Sequence, residues 1–204
     1  MNERERNDLI ISWLTVSIAF ASAGFLFGFF KQGGIAQFLG KLAVMLVAVG
    51  TGFIFHELAH KYVAIHYGAH AEFRAWREGL LLAIGLAVIG SPFIFAAPGA
   101  VYVFGKSITV KQNGIISLAG PITNLLVVLG FGLLHLLLTP SEFISNIIFS
   151  AMYVNFFLAA FNMIPVFPLD GSKVFTWNIG VWLLTMLIAA SGVFAFPFYV
   201  QLFG

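Results

Sequence analysis

Six apolar runs, at about 9–30, 42–65, 79–104, 114–138, 143–164 and 176–203, dominate this sequence. Each is long enough for a membrane span, which needs roughly 20 apolar residues in helical form. A water-soluble globule of this size leaves much of its chain exposed, and only 9% of these 204 residues are charged. Lipid is therefore the solvent for most of the chain, where the backbone must satisfy its own hydrogen bonds, as a helix does. The expected fold is an all-α polytopic membrane protein. We read it as one domain over residues 1–204, with its core at about 42–175 and no soluble domain appended. There is no cysteine, which excludes disulfides and thiolate metal ligands. A net charge of +2 gives no ground for nucleic-acid binding. The N-terminal stretch mixes Arg4 and Arg6 with Glu3, Glu5 and Asp8. That is a poor signal-peptide head, so the first run reads as a retained span.

Loop charge tests how many runs cross. If all six do, Lys106, Lys111 and Lys173 fall outside and the usual excess of basic residues on the cytoplasmic side disappears. If 79–104 instead enters and returns, then Arg4, Arg6, Lys61, Arg74, Arg77, Lys106, Lys111 and Lys173 share the cytoplasmic side, eight of the ten basic residues. The run is also broken by Gly90-Ser91-Pro92 and by Pro98-Gly99, which interrupt regular helix. The reading is five full spans and one re-entrant or membrane-embedded segment, six if that segment is a kinked span, with a short strand around 99–110. Such a segment would help wall a site, since irregular backbone at membrane depth lies against protein or a wet cavity.

The chemistry concentrates at His56-Glu57-Leu58-Ala59-His60. Residues four apart share a helical face, about 5–6 Å between Cβ atoms, so both imidazoles can reach one Zn²⁺. Glu57 is placed to hold a water and take its proton. Ionisable groups within an apolar run are costly and default to a functional reading. The plainer alternative pairs Glu57 with Lys61 and leaves the histidines capping the span. A catalytic zinc takes three protein ligands, and Asp170, the only acid after Glu142, is the candidate for the third. The re-entrant topology puts it on the same side as His60, as a shared metal requires.

His56 to His60, then Gly120-Pro121-Ile122-Thr123-Asn124, then Asn162-x-x-Pro165 leading into Phe167-Pro168-Leu169-Asp170-Gly171, resemble the three signatures of the site-2 protease family, in the same order. The resemblance covers roughly residues 42–175. It implies one Zn²⁺ per chain held by His56, His60 and Asp170, with Glu57 as general base. It also implies hydrolysis of peptide bonds in or near transmembrane segments of membrane-protein substrates. Asn162 and Asn124 are candidates for contacting substrate or an oxyanion. The plainer roles are bonding to freed backbone carbonyls for Asn162 and interhelical bonding for Asn124. The expected setting is the cell membrane, multi-pass, with the active site towards the cytoplasm and a substrate strand pairing with the 99–110 strand. His66 and His70 repeat the four-residue spacing, but Gly68 between them and the lack of a partnering acid argue against a second metal site. His135 reads as an interhelical histidine. The rival functions are a catalytically silent client-binding member and a zinc transporter. All the presumed site residues are present, against the former, and the chain lacks a His-rich loop, against the latter.

Overall fold

The computed structural model describes residues 1–22, 34–89, 98–104 and 107–203. In chain order its elements are α1 (Glu3–Ser22), α2 (Gly34–Val49), a π-helical segment (Gly50–Ile54), α3 (Phe55–His66), β1 (His70–Ala75), α4 (Arg77–Val88), β2 (Gly99–Phe104), α5 (Val110–Leu138), α6 (Glu142–Asn162), α7 (Asp170–Trp177) and α8 (Ile179–Phe203). Among the described residues four helices are long and apolar enough to cross a membrane: 34–66, 110–138, 142–162 and 179–196. The first apolar run is represented by α1, and its continuation at 23–30 lies outside the described residues.

The helix ends follow local chemistry. Thr109 caps α5 reciprocally with Gln112: the Gln112 N–H donates to Thr109 Oγ1 at 3.2 Å and the Thr109 N–H to Gln112 Oε1 at 3.0 Å. α5 closes on Thr139 at φ 41°, just before Pro140. α3 ends where Gly68 takes φ 79° and the Ala69 N–H reaches back to Ala64 O at 3.1 Å, a turn that glycine enters without a Cβ penalty. α2, the π-helical segment and α3 form one continuous helix of 33 residues.

The described ends of the third apolar run lie together. β1 and β2 pair antiparallel, with Ala75 opposite Gly99 and His70 opposite Phe104. Immediately beyond them the Trp76 N–H donates to Pro98 O at 2.9 Å. Trp76 and Pro98, which flank the segment, therefore lie side by side. α4 has 12 residues, about 18 Å of helix, short of the roughly 30 Å hydrocarbon core. The break at Gly90-Ser91-Pro92 lies outside the described residues. The expected strand is present but ends at Phe104, and its partner β1 is an element the sequence reading did not assign.

Buried Leu9, Val16, Val49, Phe53, Phe73, Leu80 and Val154 form the main core, joining α1, the long helix, the β hairpin, α4 and α6. Several polar groups in this apolar setting are matched. Trp13 Nε1 donates to Leu46 O at 2.9 Å, and Ser12 Oγ to Pro98 O at 3.1 Å. Glu5, 1% exposed, meets Lys61 Nζ at 2.6 Å and accepts the Phe73 N–H at 3.1 Å. This contact ties the start of α1 to the end of α3 and to β1.

Candidate metal centre

His56 and His60 stand one turn apart on α3, both buried, and Asp170 opens α7. Asp170 Oδ2 lies 3.3 Å from His56 Nε2 and 3.0 Å from His60 Nε2. One ligand atom from each of the three lies within 4.8 Å of the others, the one such group found among the described residues. The opposite ring nitrogens are engaged with protein. His56 Nδ1 donates to Asn124 Oδ1 at 2.6 Å and His60 Nδ1 to Ile116 O at 2.7 Å. Both acceptors lie on α5, and they leave each Nε2 lone pair directed at Asp170, the usual arrangement behind ligating histidines. Burial opposes ionisation of Asp170, but the imidazoles of His60 and His56 outweigh it and hold the carboxyl well below the usual range.

The surrounding backbone is shaped to this junction. A Cβ on Gly120 would stand 2.5 Å from His56 Nε2 and 2.5 Å from His60 Nε2. A glycine there keeps side chains out of the space between the three ligand atoms. At Gly171 a Cβ would meet Met163 O at 2.2 Å, so the turn before α7 passes tightly under α6. Trp182 Nε1 holds the same Met163 O at 2.7 Å from α8. Two nitrogens, one carboxylate oxygen and a space kept clear fit a zinc with three protein ligands and an open position.

Glu57 lines a cavity of about 170 Å³ together with His56, His60, Asp170, Asn162 and residues 98–101 and 103. Lys61 does not pair with Glu57; it turns to Glu5 on α1. Lys173, one turn beyond Asp170, puts Nζ 3.6 Å from Asp170 Oδ1 and lines the same cavity. Asn162 also faces it, with Nδ2 donating to Leu158 O at 3.0 Å.

For Asn124 the structure shows the plainer of its two roles, interhelical bonding. It is fully buried and is not among the cavity-lining residues. Its Oδ1 faces His56, while its Nδ2 donates to Gly52 O at 2.8 Å and Asn155 Oδ1 at 2.9 Å. With these groups engaged by protein it orients a histidine rather than touching substrate. Asn155 was missed in the sequence, although an amide in the middle of an apolar run was the available signal. His66 and His70 stay apart in function: His66 stands edge-on to Tyr67 and His70 pairs with Glu72 at 3.2 Å. His135 lies against Phe149 and 3.4 Å from Ser145 Oγ, between α5 and α6.

Over 187 residues the chain is 42% identical to "Putative zinc metalloprotease MJ0611" of Methanocaldococcus jannaschii, covering 91% of each protein. It is 29% identical over 138 residues to "Zinc metalloprotease MJ0392" of the same organism, and 33% identical over 173 residues to "Putative zinc metalloprotease Rip3" of Mycobacterium tuberculosis. Those two matches cover 65% and 81% of this chain, but only 33% and 38% of the relatives' own length. No family model matches the chain. No solved structure matches it.

Proposed function

This chain belongs to the site-2 protease family of membrane zinc metalloproteases, and on that premise we propose that it hydrolyses peptide bonds in or beside the transmembrane segments of other membrane proteins. The observation that carries the proposal is one cavity. Glu57, the His56–His60–Asp170 group and the strand β2 all line it, at the end of a membrane-length helix. A soluble peptide would not need its protease site built there.

His56, His60 and Asp170 are the proposed zinc ligands. The zinc, when bound, acts as a Lewis acid towards the scissile carbonyl and makes water more acidic. Glu57 is the proposed general base: its carboxylate takes the proton of the attacking water and later delivers it to the leaving amine. Asn162, facing the cavity, is placed to donate to a carbonyl oxygen that gains charge. A transmembrane helix shields its own carbonyls, so the substrate must be offered extended. Among the described residues β2 pairs with β1 on one side only, which would leave its outer edge for a substrate strand. The basic residues support a site towards the cytoplasm, because Lys61 follows His60 on α3, Arg74 lies on β1, which pairs with the cavity-lining β2, and Lys173 lines the cavity.

The test combines zinc content with cleavage of a model single-span substrate in proteoliposomes. Glu57→Gln should keep one zinc and lose cleavage; Asp170→Ala should lose the metal. Wild-type protein that holds zinc but leaves a panel of membrane substrates intact would favour a silent client-binding protein instead.

A further inference from the structure

We propose that Asn155 is a positioning residue of the zinc centre. By fixing which way the Asn124 amide faces, it helps hold His56 in the tautomer whose Nε2 is free for metal. The inference rests on His56 acting as a zinc ligand, as proposed above.

The argument runs along a chain of hydrogen bonds whose directions are set by its ends. Asn155 Nδ2 donates to Ala151 O at 2.8 Å. A carbonyl oxygen only accepts, so the NH₂ of Asn155 faces it and Oδ1 is turned towards Asn124. Asn124 Nδ2 then donates to that Oδ1 at 2.9 Å and to Gly52 O at 2.8 Å. With its NH₂ committed to two acceptors, Asn124 presents Oδ1 to His56, 2.6 Å from Nδ1. The proton therefore sits on Nδ1 and the Nε2 lone pair points at the junction with Asp170. Reversing the Asn124 amide would set an NH₂ against His56 Nδ1, and the imidazole proton would move to Nε2, where it blocks coordination.

Only two acceptors resist that reversal, Gly52 O in the π-helical segment and Asn155 Oδ1. Asn155 is fully buried in the middle of α6, a membrane-length helix, where a polar side chain needs a function to offset its cost. The neighbouring backbone makes room for it. A Cβ on Gly52 would lie 2.8 Å from Leu158 Cδ1 and 3.4 Å from Asn155 Nδ2. Gly52 thus lets α6 approach closely enough to bring Asn155 to Asn124. Plain interhelical bonding would tolerate either amide orientation, whereas this chain, anchored on two carbonyls, allows one.

The test uses full-length protein stripped of metal and labelled with ¹⁵N-histidine, with the His56 signals assigned by their loss in His56→Ala. It reads the tautomer by NMR and the zinc affinity by chelator competition. Asn155→Leu removes the acceptor, while Asn155→Asp keeps an oxygen facing Asn124 Nδ2. Wild type and Asn155→Asp should show protonated Nδ1 and bare Nε2. Asn155→Leu should show a population protonated at Nε2 and bind zinc about 10-fold more weakly. Should Asn155→Leu not fold, Asn155→Ala carries the same expectation. Weaker zinc binding with the wild-type tautomer, or no change in either, overturns the proposal, as does Asn155→Asp behaving like Asn155→Leu. If His56→Ala leaves zinc affinity unchanged, the ligand assignment fails instead, and the tautomer readout stands apart from it.

Discussion

Replacing Gly120 by alanine should remove zinc from this protein without unfolding it. The added Cβ would stand 2.5 Å from both imidazole Nε2 atoms and 2.6 Å from His56 Cε1. Unstrained contacts of this kind sit at about 3.5 Å or more, so each ring must retreat by about 1 Å. Metal–ligand distances tolerate only about 0.2 Å, and both nitrogens are displaced together. Disturbing a group behind a ligand costs about 10–100-fold in metal affinity. Moving two ligands should exceed the top of that range, more than about 2.8 kcal/mol. The helix itself gains from the change, because alanine is favoured over glycine in a helix interior by about 1 kcal/mol. Zinc per chain after dialysis, affinity by chelator competition and the melting temperature of the apo protein together make the assay. The expected result is apo-like metal content with an apo Tm near that of wild type. Full zinc occupancy at wild-type affinity in Gly120→Ala would refute the placement of the metal between the two Nε2 atoms.

Other outcomes follow from the same geometry. Glu57→Gln should lower cleavage by about 10²–10⁴-fold with zinc content unchanged, measured on a single-span substrate; equal loss of zinc would make Glu57 a ligand rather than a base. Lys61→Met leaves Glu5 buried without its cation and should destabilise by about 3–5 kcal/mol, seen in chemical denaturation; a change under 1 kcal/mol would show the pair to be solvated. Burial opposes ionisation of Glu5, but the Lys61 ammonium and the Phe73 N–H hold its pKa below the ordinary value. Its contribution is therefore present above the usual carboxylate range and lost as pH falls through the lowered pKa. The acid-side decline in Tm should accordingly be shallower in Glu5→Gln than in wild type. Single prolines across 100–104 should reduce cleavage where the replaced N–H points away from β1; cleavage unaffected at every position would remove β2 as the substrate edge.

The His56–His60–Asp170 group, which could hold a metal ion, was legible because its members obey local rules. His56 and His60 sit at helical spacing, and Asp170 is the only acid late in the chain. For 79–104 loop charge favoured a re-entrant segment, and among the described residues the pairing of β1 with β2 agrees with ends that lie together. What escaped depended on contacts distant in sequence or on backbone geometry with no residue code. Lys61 and Glu5 are 56 positions apart, and nothing local ranks Glu5 above Glu57 as the partner. The π-helical turn at Gly50–Ile54 carries no composition signal beyond Gly50 and Gly52. β1 was readable in principle: Ala71, Phe73 and Ala75 alternate with His70, Glu72 and Arg74, a period of two, but the charges made the segment look like a loop. Asn155 lies outside the three motifs and gains meaning only when α6 is set beside Asn124.

The hydrogen bond from Trp76 to Pro98 brings the two ends of 76–98 side by side. Within the segment, Leu80, Ala83 and Ala87 of α4 pack into the core with residues of α1, so a change of length after Val88 asks less of α3 and α5, which carry the histidines and the residues behind them, than a change within α4. Insertions whose ends already touch ask little of their host scaffold. An engineer could insert a foreign segment after Val88 and leave the His56–His60–Asp170 group in place.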